Sequence, residues 1–84
     1  MTVDTVSVLR LCVVAEAHPG ALSRVLDRFQ NLNVLPRRVL AEFGTGDTVH
    51  IQVDIVGIPE RTLSLIAGKL AQVPCVLESR WYRA

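Results

Sequence analysis

Residues 5–30, TVSVLRLCVVAEAHPGALSRVLDRFQ, change their hydrophobic period once, and that change decides the fold. Residues 5–15 are rich in β-branched side chains and alternate. Leu9, Leu11 and Val13 share one face, while Arg10 and Cys12 share the other. This is the period-2 pattern of a strand. Glu16-Ala17-His18-Pro19-Gly20 breaks the strand with two strong punctuators. Beyond the break, Leu22, Val25, Leu26 and Phe29 fall at i, i+3, i+4 and i+7, the apolar stripe of an amphipathic helix. Ser23, Arg24, Asp27, Arg28 and Gln30 take its wet face, and Asn31 and Asn33 end it.

Working outward, residues 34–43 (VLPRRVLAEF) alternate again, with Val39, Ala41 and Phe43 on one face and Arg38, Leu40 and Glu42 on the other. Pro36 makes this an edge strand or pins its start, because proline donates nothing to a ladder. Gly44-Thr45-Gly46-Asp47 is a turn, and TVHIQVDIV then places Val49, Ile51, Val53 and Ile55 on one face. The two strands form a hairpin. Gly57-Ile58-Pro59 opens a second helix, with Pro59 in its first turn and Glu60 suited to its dipole. Leu63, Ile66, Ala67 and Leu70 are its buried stripe. Gly68 mid-helix is read as a site of close packing. Pro74 stops the helix, and residues 75–82 (CVLESRWY) form the last strand.

The order β-α-β-β-α-β predicts an α+β, ferredoxin-like fold. Both helices cover one face of a four-stranded antiparallel sheet, and the first and third strands, the most apolar, are central. The chain has 84 residues, 50% hydrophobic, which fits a single domain spanning 1–84 with apolar surface left over for self-association. No run of ~18 apolar residues predicts a membrane span, and the N-terminus lacks a signal-peptide pattern, so a cytoplasmic location is expected. Nine Lys+Arg against eight Asp+Glu give no footprint for nucleic acid or an anionic membrane.

The fold hosts many functions, and most leave signatures that are missing here. The central strands carry no aromatics to stack RNA bases. The first loop, EAHPGAL, has no paired cysteines for a metal and no arginine or asparagine for a phosphate cradle. Cys12 and Cys75 lie 63 positions apart with no CxxC, and neither pairs with His18 or His50 at ligand spacing. No triad or carboxylate pair stands out. A non-enzymatic protein without metal or cofactor is the expectation.

Val14-Ala15-Glu16-Ala17-His18-Pro19-Gly20-Ala21-Leu22-Ser23-Arg24-Val25 resembles the signature of ACT domains, most closely the short regulatory subunits of acetolactate (acetohydroxyacid) synthase. Pro19, Gly20, Ala21, Leu22, Val25, Phe29 and the Asn33-Val34 entry to the second strand carry the likeness, which spans roughly residues 6–83. The resemblance implies a non-catalytic domain that pairs side by side with a second copy through the second strands. It implies an effector amino acid, valine or a related one, held between one copy's first loop and the other's second strand. The site residues implied are Ala17, His18, Gly20, Ala21, Leu22, Asn33 and Val34. The partners implied are a catalytic enzyme subunit, the effector and a second copy.

Ala17 departs from the family, which commonly has Asn or Asp three positions before the glycine. That removes a hydrogen-bonding group from the effector site. A dimeric module with a vestigial site is therefore the alternative, and a small ferredoxin-like enzyme a poorer one. Gly20 serves either ligand approach or a turn with positive φ. His18 is either a ligand contact or an exposed loop residue. His50, Gln52, Asp54, Arg10 and Arg80 share the sheet face away from the helices, as a wet surface or a docking face. Trp81 and Tyr82 either anchor a partner or cap the core edge.

Overall fold

A computed structural model describes residues 8–84. The order is β1 (Leu9–Glu16), α1 (Ala21–Asn31), β2 (Arg38–Phe43), β3 (Thr48–Ile55), α2 (Glu60–Ala71) and β4 (Val76–Arg83). The strands form one antiparallel sheet in the order β2-β3-β1-β4, so the fold is the expected βαββαβ sandwich with β1 and β3 at its centre. Residues 5–7 of the expected first strand lie outside the described residues. No helix among the described residues is long and apolar enough to cross a membrane.

The core follows the two periods. Leu9, Leu11, Val13 and Ala15 of β1 and Ile51, Val53 and Ile55 of β3 are buried on one sheet face. Ala21, Val25 and Phe29 of α1 and Leu63, Ile66, Ala67 and Leu70 of α2 close over them. Of the expected α1 stripe, Val25 and Phe29 are buried and Leu22 and Leu26 half-buried, with Leu22 packed against the core; Ala21, outside that stripe, is buried as well. Trp81 packs half-buried against the core edge, whereas Tyr82 stays exposed on the opposite face.

Strand β2 begins at Arg38, four residues later than the alternation predicts. The helix end explains the delay. Asn33 takes a left-handed conformation, with φ 57°. Its N–H donates to the Gln30 carbonyl (2.9 Å), and the Val34 N–H donates to the Phe29 carbonyl (2.9 Å). This is a Schellman C-cap with asparagine in the glycine position. Val34 packs back on the core, so residues 34–37 form the return from the helix. Pro36 sits in that return, and Arg37 N–H donates to the Asp54 carbonyl (2.7 Å) where pairing starts.

All six residues of β2 are exposed. Register puts Val39, Ala41 and Phe43 on the helix side of the sheet, opposite Val53, Ile51 and Val49, but the helical layer stops short of them. Phe43 is 86% exposed, Val39 40% and Leu35, just before the strand, 89%. Among the described residues the two most exposed large apolar side chains, Leu35 and Phe43, both lie on this shoulder.

Two glycine and proline expectations change. Pro59 is the N-cap of α2 and Glu60 opens the helix, so the proline stands one position earlier than expected. Gly68 is exposed, and a Cβ placed there meets nothing within 4 Å, so it packs on no element. Gly68→Ala is expected to stabilise the domain by about 0.5–1 kcal/mol through helix propensity and a less free unfolded chain. Urea denaturation should show a higher midpoint at unchanged slope.

Candidate functional site

The β1–α1 connection is pinned from both sides. Glu16 N–H donates to the Cys75 carbonyl (2.8 Å), and Ala17 N–H donates to the Asp47 carbonyl in the β2–β3 turn (2.7 Å). Asp47 and Gly46 make that turn with positive φ, 54° and 64°. The first loop therefore lies against the tip of the hairpin, next to the end of β2.

The opening of α1 is organised by His18. Gly20 N–H donates to His18 Nδ1 (2.9 Å) and Ala21 N–H to the His18 carbonyl (2.9 Å). The first intrahelical bond joins Arg24 N–H to the Gly20 carbonyl (3.0 Å). Of the four amide groups that a helix start leaves open, Leu22 and Ser23 supply the two without these partners. Gly20 has φ −84°, so it is not a positive-φ turn residue. Its constraint is proximity: a Cβ there would lie 3.2 Å from both Cε1 and Nδ1 of His18. The glycine lets the imidazole fold over the helix start.

An open hollow of about 410 Å³ lies between this loop and the hairpin, within the ~300–1,000 Å³ range of small-molecule sites. Ala17, His18, Pro19, Ala21 and Leu22 form one wall. Ala41, Phe43 and Val49 form the other, with Glu42 at the rim. The lining is mostly apolar, and the Leu22 and Ser23 amides lie at the same helix start.

The structure brings together Ala17, His18, Ala21 and Leu22 of the expected site, with Gly20 supporting them. Asn33 and Val34 are elsewhere. They line a second hollow of about 330 Å³ with Leu26, Gln30, Leu35 and Pro36, at the other end of α1, a helix length of roughly 16 Å away. Ala41, Phe43 and Val49 were absent from the sequence-derived site. Their only signal was an apolar face, on β2 for Ala41 and Phe43 and on β3 for Val49, which alternation assigns to the core.

The most buried charge pair among the described residues lies on the other side of the sheet. Arg10 holds Asp54 with two bonds, Nε to Oδ1 (2.8 Å) and Nη2 to Oδ2 (3.1 Å). Asp54 is 6% exposed. Hydrogen bonding from Arg10 holds its carboxyl below the usual carboxylate range against the opposing effect of burial, with Arg38 adding to the attraction.

No protein-family model matches the sequence, and no curated protein matches it. Solved structures do match in shape. The C-terminal domain of the MgtC protein from Mycobacterium tuberculosis superposes with a TM-score of 0.77 at 16% identity, covering 100% of this chain and 94% of that one. The ACT domain from GTP pyrophosphokinase of Chlorobium tepidum gives 0.74 at 14% identity, covering 93% and 100%. A homoserine dehydrogenase from Thiobacillus denitrificans gives 0.73 at 15%, covering 94% of this chain and 17% of that one. At these identities the likeness is one of fold, and that fold is ACT-like.

Proposed function

We propose that the chain is a non-catalytic regulatory domain that binds a small amino acid between two copies and tunes a biosynthetic enzyme. The observation that carries this reading is the apolar hollow between the first loop and the end of β2, open beside an unpaired edge strand. An aliphatic side chain suits the wall of Leu22, Ala41, Phe43 and Val49. The effector carboxylate suits the Leu22 and Ser23 amides, since a helix start favours an anion.

Antiparallel pairing of β2 with β2 of a second copy accounts for the divided site. Such pairing sets the beginning of one strand beside the end of the other. Asn33 and Val34 of the second copy then approach the hollow built from Ala17, His18, Gly20, Ala21 and Leu22. The shoulder of Leu35, Val39 and Phe43 becomes covered at the same time. Regulation follows by linkage, the effector favouring the arrangement that binds it better.

Acetolactate synthase is the client we favour, with valine as effector and branched-chain amino acid synthesis as the setting. The support is the likeness of EAHPGAL to that subgroup of ACT domains, together with ACT domains among the structures of similar shape. A second reading, a dimeric module with a vestigial site, is favoured by Ala17, which offers no polar side chain, and by the engagement of His18 Nδ1 with Gly20.

Calorimetric titration with the twenty amino acids separates the two. Heat with valine or another aliphatic amino acid is the expected result, and silence up to millimolar concentration overturns the effector reading. Ala17→Asn restores a group able to bond the effector's polar end. One added hydrogen bond of about 1 kcal/mol should tighten binding roughly 5-fold. Ala17 is exposed, and only its backbone N–H is bonded, so the substitution leaves the fold intact. Addition of the chain to an acetolactate synthase catalytic subunit should change its rate and its response to valine.

A further inference from the structure

The sheet face turned away from the helices carries charge sorted along the strands. Register stacks its side chains in rows across β2, β3, β1 and β4. One row is Glu42, His50, Val14 and Glu78, with Glu16 and Thr48 just beyond it. The other is Arg38, Asp54, Arg10 and Tyr82. The first row is negative. The second is positive, because the single Asp54 carboxylate faces two guanidinium groups, Arg10 bonded to it and Arg38 nearby. Between them lies a shallow depression of about 310 Å³ whose floor includes Cys12, Val14 and Leu40.

We propose that this face docks on the same face of a second copy, turned end for end. The charge order selects the turn. A two-fold axis lying across the strands sets Glu42 over Arg38 of the second copy and Glu78 over its Tyr82 hydroxyl. An axis along the strands sets Glu42 over Glu78, and like-charge contact of that kind is strongly disfavoured. In the selected arrangement Leu40 and Cys12 meet their own counterparts near the midline. Arg80, also on the midline, meets its own counterpart, one like-charge contact against the two Glu42–Glu78 contacts of the other arrangement, and Glu78 of its own chain, 3.6 Å away, offsets its charge. The face is roughly 20 by 20 Å from strand spacing and rise, about 400 Å² per copy, which makes a weak interface alone. It doubles where two copies are already joined through β2, and the two contacts together close a ring of four with no open sheet face.

Cys12 tests this directly. Across a β2–β2 junction the two Cys12 residues are five strand spacings apart, about 24 Å, whereas face-packed sheets lie about 10 Å apart. In Cys75→Ser, which leaves Cys12 the single thiol, a short bismaleimide should link two copies. The yield should fall roughly 10-fold with Glu42→Arg, which sets like charges face to face at Arg38 of the second copy, or in ~1 M salt where the Debye length is ~3 Å. Phe43→Glu, which blocks the β2 shoulder but not this face, should sediment as one copy at micromolar concentration and still give the link, at lower yield. If the unaltered chain also sediments as one copy while the link forms, β2 pairing fails and face pairing stands. Indifference of the link to Glu42→Arg overturns the proposal. So does the absence of a link in the Cys75→Ser chain.

Discussion

Phe29→Ala should cost about 3–5 kcal/mol, the largest loss expected from any single substitution in this chain. Phe29 is 0% exposed and sits in the core with residues of both helices and of β1 and β3. Removing its ring forfeits the transfer energy of the lost atoms and leaves a void that the packed surroundings fill only in part. A domain of this size has only ~4–12 kcal/mol in total, so the variant stands near the edge of folding. Melting should fall by roughly 12–40 °C at ~4–8 °C per kcal/mol, and the urea midpoint should drop with it. Phe43→Ala is the matched control. It removes the same ring from a position 86% exposed, so the isolated fold should change by ~0.5 kcal/mol or less, and any larger effect should appear as weaker association between copies. Equal destabilisation by both substitutions would contradict the burial described here.

The contrast between these two phenylalanines shows what the sequence made legible. Phe29 was readable because Val25, Leu26 and Phe29 recur at helical spacing between a Pro-Gly break and two asparagines. Local period, cap and breaker agreed there, and agreement among levels is what makes a fold legible. Phe43 was not, because alternation states only that Val39, Ala41 and Phe43 share a face. Whether a helix covers that face depends on how far the helical layer extends, a property of the assembled domain. The start of β2 was misplaced for a related reason. Val34 reads as the first apolar residue of a strand, but its amide completes the cap of α1 through the Phe29 carbonyl.

The candidate site divides the same way. Ala17, His18 and Leu22 were found together because they adjoin one motif in the chain. Ala41, Phe43 and Val49 join them only through the hairpin, and nothing in local spacing announces that. Gly20 shows a subtler limit. Its place in the motif was legible, but its physical cause, the His18 ring lying 3.2 Å from where a Cβ would stand, is a side-chain conformation that sequence does not report.

Replacing Arg10 by methionine should produce the largest pH-dependent effect. In the native chain the guanidinium holds Asp54 ionised below the usual carboxylate range. At mildly acidic pH the unfolded chain, with an ordinary aspartate near ~3.9, therefore binds more protons than the folded one. This contribution to stability is complete above the unfolded value and is lost as pH falls through the lower folded value. Arg10→Met keeps most of the stem that lies along β1 but leaves a buried carboxylate without its two bonds. An unsatisfied buried acceptor costs about 1–3 kcal/mol, and burial, no longer outweighed by Arg10, now pushes the Asp54 carboxyl upward. The variant should be less stable at neutral pH and should recover ground as acid protonates Asp54. Its deficit against the native chain should shrink steadily below pH ~5. Urea midpoints of the two proteins between pH 7 and 3 measure that gap, and a gap constant over the whole range would mean that Arg10 contributes packing and not charge. Asp54→Asn combined with Arg10→Met closes the cycle: a neutral side chain at position 54 should recover part of the loss at neutral pH and make the remaining deficit nearly independent of pH.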